Sequence, residues 1–287
     1  MKFAVIGANG CIGRVSVRVL KARGDEVVPC SSTKSSEEML HVDLTKHETW
    51  QNLPKHLDGV LVCAGEGSLR QCRAMPEETA AVNVSGTAGF VAKLQSAGVF
   101  SVVISTNYVF DGTRGDFSPQ DMVSPACEYG HQKARLEQAV RAWEGGGGVA
   151  IVRLTKVLSD HNLLLQSWAS RLRQGQPVVA ARDARAAFLT PDAVAEGLVR
   201  VLAGSKTGLW QLSASDDLAW AEVAVTLCDE LGLTRDLVIG KELMDIDPKT
   251  EFVPLHGTLA AVMPGGTETL PSMLAVRRCL ESICGRR

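Results

Sequence analysis

The chain has 287 residues, of which 45% are hydrophobic and 22% are charged, and its formal net charge is −2. A chain of this length can bury a large core in one or two domains. Its 30 basic residues are spread through both halves instead of forming a stripe, so the composition argues against a nucleic-acid or membrane-surface partner.

The cysteines and histidines indicate a cytoplasmic protein without a metal site. The eight cysteines are scattered and include no C-x-x-C pair, and the six histidines show no clustered spacing. The first apolar run is stopped by Gly7 before it resembles a signal peptide or a membrane span. We therefore expect a soluble protein in a reducing cytoplasm, and the sequence leaves a homodimer open.

Strand-like and helix-like segments alternate through the first 155 residues. The predicted strands are 2–6, 25–30, 39–44, 59–65, 101–106 and 148–154, and the predicted helices are about 11–23, 46–53, 76–97 and 125–143. This alternation predicts an α/β protein with a doubly wound, Rossmann-like parallel sheet, whose ligands bind at the carboxyl ends of the strands.

The second half of the chain has a looser pattern. Two more strands, 176–181 and 208–214, flank a helix at 191–202, and the remaining segments are poorer in strand signal. We predict an NAD(P)-binding domain of residues 1–158 and about 176–214. A smaller, discontinuous substrate lobe of about 159–175 and 215–287 is expected to cover the carboxyl edge of the sheet.

A glycine-rich turn follows the first strand. Its spacing is G-x-x-G-x-x-G, and it opens the first predicted helix, where backbone N–H groups and the helix dipole favour a pyrophosphate. The alternative is a purely structural tight turn. The predicted cofactor contacts in this turn are Gly7, Asn9, Gly10, Cys11, Ile12 and Gly13.

The turn after the second strand bears on the choice of cofactor. An NAD-preferring site usually has an acidic residue there, but this chain has Ser31, Ser32, Thr33 and Lys34. Hydroxyls and a positive charge suit a 2′-phosphate, so NADPH is favoured over NADH. An ordinary solvated turn is the alternative.

Tyr129 and Lys133 are four residues apart in a predicted helix, and therefore lie on the same face. An ammonium beside a phenol would lower the phenol's pKa and make Tyr129 a general acid. Thr106 ends a predicted central strand, where its hydroxyl could bind a substrate carbonyl. The alternative is an amphipathic helix with a half-buried tyrosine and a solvated lysine.

Seven segments in the same order resemble the dTDP-4-dehydrorhamnose reductase family of extended short-chain dehydrogenase/reductases. The resemblance covers about the first 235 residues and is carried by VDLT, CAG, PEETAAVNVSGT, ISTNYVFDGTRGDF, EYGHQKARLE, IVRLTKV and GLWQLSASDDLAWAEVAVTLCDELGL. It implies that Thr106, Tyr129 and Lys133 are catalytic and that Lys133 also binds the nicotinamide ribose.

The same resemblance implies further binding residues and a reaction. The cofactor would be bordered by Asp43, Leu44, Cys63, Ala64 and Gly65, and the substrate by Thr106, Asn107, Val109 and Lys156. The implied reaction is reduction of a keto group on a nucleotide-linked sugar. A sugar-nucleotide epimerase or dehydratase, and a non-catalytic NADP-binding regulatory subunit like the β subunit of methionine adenosyltransferase, are the alternatives.

The chain departs from these reductases at two places. Where they tend to carry an aromatic residue in R-T-S-W-V-Y-G, this chain reads RLTKVLS, which brings Lys156 and Val157 into the substrate region. A solvated lysine is the alternative interpretation of Lys156. The segment FVPLHGTLAAVMPGGTETLPSM also replaces the family's usual R-P and Asn-rich segment before the last helix.

Overall fold

The computed structural model describes residues 1–33, 38–142, 147–266 and 269–285, so Lys34 lies outside the described residues. Within these ranges, no helix is both long enough and apolar enough to span a lipid bilayer.

In the described ranges, thirteen strands form one large sheet and three two-stranded ladders. The strands are β1 (Lys2–Ile6), β2 (Glu26–Ser31), β3 (Leu40–His41), β4 (Gly59–Val62), β5 (Ser101–Thr106), β6 (Val149–Leu154), β7 (Lys156–Val157), β8 (Val178–Ala181), β9 (Arg185–Ala186), β10 (Phe188–Leu189), β11 (Gly208–Leu212), β12 (Leu218–Ala219) and β13 (Val238–Lys241). The large sheet has the order β11-β6-β5-β4-β1-β2-β3, and all its pairings are parallel. The predicted doubly wound fold is confirmed.

Helices cover both faces of this sheet. They are α1 (Cys11–Ala22), α2 (Leu69–Ala74), α3 (Pro76–Ala80), α4 (Thr87–Ser96), α5 (Glu128–Arg141), α6 (Leu163–Arg173), α7 (Pro191–Ala203), α8 (Trp220–Leu231), α9 (Leu243–Ile246) and α10 (Ser272–Cys284). Side chains of β1 alternate between the two faces because successive strand residues point to opposite sides. Phe3 packs in the core that contains Leu198 of α7, whereas Ile6 packs in the core that contains Phe90 of α4.

The predicted helix 76–97 is interrupted by a π-helical turn, Ala81–Gly86. Gly86 lies so close to the chain after β3 that a Cβ there would be 2.6 Å from the Leu44 carbonyl oxygen. The fully buried Asn83 in this turn is hydrogen-bonded to the backbone of Glu66. Tertiary contacts therefore explain the break, since helical periodicity continues through it in the sequence. The predicted helix 46–53 is a 3₁₀ helix, His47–Asn52.

The smaller lobe has its own apolar core, formed by α6, α8, α10 and strand β8. Strand β8 pairs with β13 of the lobe. The prediction that the NAD(P)-binding domain resumes at about residue 176 is therefore wrong for this strand. The apolar sequence of β8 suits a strand in either domain, and only its pairing with β13 assigns it to the lobe.

The divergent segment 251–263 runs from the lobe across the carboxyl edge of the large sheet. Phe117 forms a bridge with Leu259, and Gln211 forms one with Val262. Met263 packs in the core between the sheet and α7. This segment, assigned to the lobe in the sequence, thus packs against the nucleotide-binding half.

Candidate active site

The glycine turn between β1 and α1 forms a close-packed cradle. Gly7 has a φ of +80°, and a Cβ on it would lie 2.7 Å from the Ala64 backbone nitrogen. A Cβ on Gly13 would overlap the Gly7 carbonyl oxygen. Both positions exclude a side chain, which fits the close backbone approach that a pyrophosphate requires. β1 lies between β2 and β4, where the strand order reverses, and ligands bind at such points in open α/β sheets.

A cleft beside this turn is lined by most of the predicted cofactor residues. Its lining consists of Gly7, Asn9, Gly10, Ser31, Ser32, Val42, Asp43, Leu44, Thr45, Cys63, Ala64, Gly65 and Val82. Cys11 and Ile12 lie next to the cleft as the first two residues of α1. Sequence reasoning missed Val42 and Thr45, which flank Asp43 and Leu44, and Val82, which lies in the π-helical turn.

The turn after β2 is held together by its own hydroxyl groups. The backbone N–H of Thr33 donates to Ser31 Oγ (3.2 Å), and the amide of Asn9 donates to Thr33 Oγ1 (3.1 Å). Ser31 is buried, whereas Ser32 and Thr33 are exposed. The described part of this turn therefore offers hydroxyls and no carboxylate to a ribose.

Asp43 borders the same cleft as an ionised carboxylate. Burial acts to raise its pKa, but hydrogen bonds from the hydroxyl and backbone N–H of Thr45, assisted by Lys46, hold the pKa below its usual value. Asp43 is thus suited to accept hydrogen bonds from a bound nucleoside.

Tyr129 follows the first residue of α5 and reaches the end of β5. Its phenol lies against the side chain of Thr106, and burial raises its pKa well above the usual value. The expectation that Lys133 brings this pKa below its usual value is not met in the structure, because desolvation of the phenol is the largest effect. Tyr129 is therefore a neutral phenol at physiological pH.

Lys133 is almost fully buried on the same face of α5. Its ammonium donates to the carbonyl oxygen of Ile104 (3.0 Å), and burial lowers its pKa to about 8 despite the nearby Glu137 carboxylate. The loop after β4 borders both side chains: a Cβ on Gly65 would lie 3.7 Å from Lys133 Nζ, and one on Gly67 would lie 3.9 Å from the Tyr129 hydroxyl. The cofactor cleft and the two candidate catalytic groups therefore adjoin.

A buried amide pair, missed by sequence reasoning, connects that loop to α5. The Asn83 amide accepts from the Glu66 N–H (2.8 Å) and donates to the Gln132 side chain (2.9 Å). The Gln132 amide in turn donates to Thr79 Oγ1 and to Glu128 Oε1, both at 2.9 Å. The resemblance included Asn83 and Gln132 within longer segments, but only the fold shows that they meet.

The predicted substrate residues occupy different environments. Asn107 donates to the Gly257 carbonyl oxygen (3.0 Å), so its amide fixes the segment 251–263. The Val109 side chain is fully buried against Phe110, Phe117 and Leu259. The prediction that Val109 faces the substrate is therefore wrong for its side chain, because the turn after β5 directs it into the core. Lys156 is partly buried on β7, and burial lowers its pKa.

The chain is similar to several known proteins along most of its length. It is 29% identical over 255 residues to a probable low-salt glycan biosynthesis reductase of Haloferax volcanii, covering 85% of this chain and 84% of that protein. It is 26% identical over 165 residues to the β subunit of methionine adenosyltransferase 2 from Rattus norvegicus, covering 57% of this chain and 49% of that protein.

Two solved structures have the same fold. A dTDP-4-dehydrorhamnose reductase from Bacillus anthracis in complex with NADP is 18% identical with a TM-score of 0.84, and 98% of each chain is covered. A dTDP-glucose 4,6-dehydratase from Streptomyces venezuelae with NAD bound is 20% identical with a TM-score of 0.85, covering 100% of this chain and 98% of that one.

A family comparison matches residues 1–255 to the family described as the RmlD substrate binding domain. The prediction of an NAD(P)-dependent oxidoreductase is confirmed at the level of this family. The chain therefore belongs to the RmlD substrate-binding-domain family, within the extended short-chain dehydrogenase/reductases.

Proposed function

We propose that the protein is an NADPH-dependent reductase of a keto group on a nucleotide-linked sugar. The observation that carries this proposal is the placement of the Tyr129 phenol against the Thr106 side chain, beside the buried ammonium of Lys133 and next to the glycine cradle. The cradle and its cleft suit a nicotinamide dinucleotide, which would supply the hydride.

Each residue has a separate role in this reaction. Thr106 orients the substrate carbonyl oxygen through its hydroxyl. Tyr129 donates its proton to that oxygen as the carbonyl carbon is reduced, because its high pKa keeps the phenol protonated until charge develops. Lys133 holds the ribose next to Gly65 and stabilises the phenolate that remains.

A screen of nucleotide-linked keto sugars, with NADPH oxidation as the readout, tests the proposal directly. At least one such sugar should be reduced with turnover that depends on Tyr129. If no keto sugar oxidises NADPH while the protein binds NADPH, the reductase assignment fails.

The hydroxyls after β2 favour NADPH, and Ser31→Asp should reverse that preference. A carboxylate at position 31 would accept a hydrogen bond from the 2′-hydroxyl of NADH and repel the 2′-phosphate of NADPH. Titration of both cofactors into the wild type and the variant is the measurement. Equal wild-type affinities, or a variant that still prefers NADPH, would show that this turn does not select the cofactor.

The pKa of Lys133 predicts a loss of activity in mildly alkaline solution. Since burial lowers this pKa to about 8, the ammonium is present below that pH and is lost as the pH rises through it. The value of kcat/KM should therefore fall above pH 8, and NADPH affinity should follow. Lys133→Arg keeps its charge in this range, so an unchanged alkaline decline in that variant would assign the titration to another group.

A regulatory subunit is the second candidate, because the methionine adenosyltransferase β subunit is among the relatives. Such a protein needs a nucleotide cleft but no general acid. Affinity capture of a larger partner enzyme, combined with no NADPH oxidation on any keto sugar, would favour it over the reductase.

The cysteines support a cytoplasmic location, which we propose on this basis. Five of the eight, namely Cys30, Cys72, Cys127, Cys228 and Cys279, are buried free thiols. Buried free thiols in a chain of this cysteine content fit a reducing compartment.

A further inference from the structure

Lys156 lies where the lobe meets the carboxyl edge of the large sheet. Successive strand residues point to opposite sides. Val157 packs against the core between the large sheet and α7, whereas Leu158 lies in the core of the lobe. Lys156 pairs in register with Phe188, which also belongs to the lobe core. The stem of Lys156 is thus on the lobe-facing side of β7, opposite Val157.

Lys156 stands near the carboxyl end of β5. Thr106 and Leu154 are register partners on neighbouring strands, and β7 begins with Lys156 two residues after Leu154. The four-carbon stem of lysine lets its ammonium extend from this position toward a ligand at the end of β5.

Backbone contacts connect Lys156 to Asn107, the residue that follows Thr106. The N–H of Lys156 donates to the Ala187 carbonyl oxygen (3.0 Å). Gly257 packs against Ala187 so closely that a Cβ would be 3.0 Å from the Ala187 nitrogen, and its carbonyl oxygen accepts from Asn107. Lys156, Ala187, Gly257 and Asn107 therefore form a continuous border around the end of β5.

The ammonium of Lys156 lacks a counter-charge. Within the described part of the chain it has no hydrogen-bond or ion-pair partner, whereas Lys133 has the Ile104 carbonyl oxygen. Even partial burial of a charge without a partner is unfavourable, and buried charges in proteins are normally paired. An anionic ligand would offset that cost.

We propose that Lys156 binds an oxyanion of the substrate at the junction of the lobe and the sheet. This inference rests on the proposed function, since it places a nucleotide-linked sugar against Thr106. Two parts of such a substrate carry the required chemistry, namely the diphosphate and a carboxylate on the sugar. In either case Lys156 contributes to substrate selection and not to hydride transfer.

Isothermal titration of NADP-saturated protein tests the proposal. The probes are thymidine diphosphate, UDP-glucose and UDP-glucuronate, the last two differing in one carboxylate. Lys156→Met is compared with the wild type, with Lys156→Arg, and with Lys241→Met, which removes an exposed lysine of the lobe. Lys156→Met should weaken at least one probe about 10- to 100-fold, as expected for loss of a charge-assisted hydrogen bond. Lys156→Arg should keep part of the affinity.

The pattern of losses identifies the oxyanion. Weaker thymidine diphosphate binding assigns Lys156 to the diphosphate, and a loss confined to UDP-glucuronate assigns it to a carboxylate. If Lys156→Met and Lys241→Met bind every probe as the wild type does, the inference is overturned while the proposed function stands. A wild type that binds NADPH but none of the probes overturns both the inference and the nucleotide-sugar assignment.

Discussion

Tyr129→Phe should lower kcat by about 10²- to 10⁴-fold, the range typical of a lost general acid. The phenyl ring keeps its place beside Tyr108 (ring centroids 6.3 Å apart), so only the hydroxyl and its transferable proton beside Thr106 are removed. NADPH affinity should change little, because the cradle and Lys133 are untouched. Steady-state kinetics on a reduced keto sugar and a direct NADPH titration measure the two effects separately.

The chain supplies a matched control, since Tyr108 is its only other tyrosine. Burial raises the pKa of Tyr108 to about 12, and its ring packs edge-on against Phe252 of the segment 251–263 (5.6 Å). Tyr108→Phe should stay within a few-fold of wild-type turnover. Equal losses in the two variants, or near wild-type turnover in Tyr129→Phe, would remove Tyr129 from the role of general acid.

Arg153→Met should reduce the free energy of unfolding by about 3–5 kcal/mol, the cost of leaving a buried charge without its partner. Arg153 is 1% exposed and forms two hydrogen bonds with Glu137, of 2.9 and 2.7 Å. It also donates to the Gln211 side chain (3.1 Å). The variant therefore leaves the Glu137 carboxylate, which is 4% exposed, with only Ser105 and the half-exposed Arg141 as partners, and removes the donor to the Gln211 side-chain oxygen. Urea titration followed by tryptophan fluorescence is the measurement.

Arg141→Met is the control for this change, because Arg141 also donates to Glu137 (3.2 Å) but its side chain is 51% exposed. A pair of this kind contributes at most about 1 kcal/mol. The double variant Glu137→Leu with Arg153→Met should be more stable than Arg153→Met alone, since it also removes the buried carboxylate that has lost its buried partner. An Arg153→Met variant as stable as Arg141→Met would show that the carboxylate finds water or another partner.

Local patterns were sufficient for the sheet and for the cofactor cradle. Each long strand of the large sheet is a short apolar run bounded by a turn. A strand that is buried on both faces can be recognised from such a run alone. The position of Gly7 and Gly13 directly between a strand and a helix indicated backbone that tolerates no Cβ, and the structure has that feature at both glycines. The four-residue spacing of Tyr129 and Lys133 likewise required only helix geometry.

Long-range contacts decided the remaining features. Strand β8 belongs to the lobe because it pairs with β13, more than fifty residues later in the chain. The Val109 side chain packs against Leu259, and the Asn107 amide donates to the Gly257 carbonyl oxygen. Both environments therefore depend on the segment 251–263. The pKa of Tyr129 depends on how completely the fold removes water from it, and spacing to Lys133 does not report that. Sequence thus determined the elements and the identities of the reactive groups, whereas tertiary structure alone determined their exposure, their partners and hence their charge.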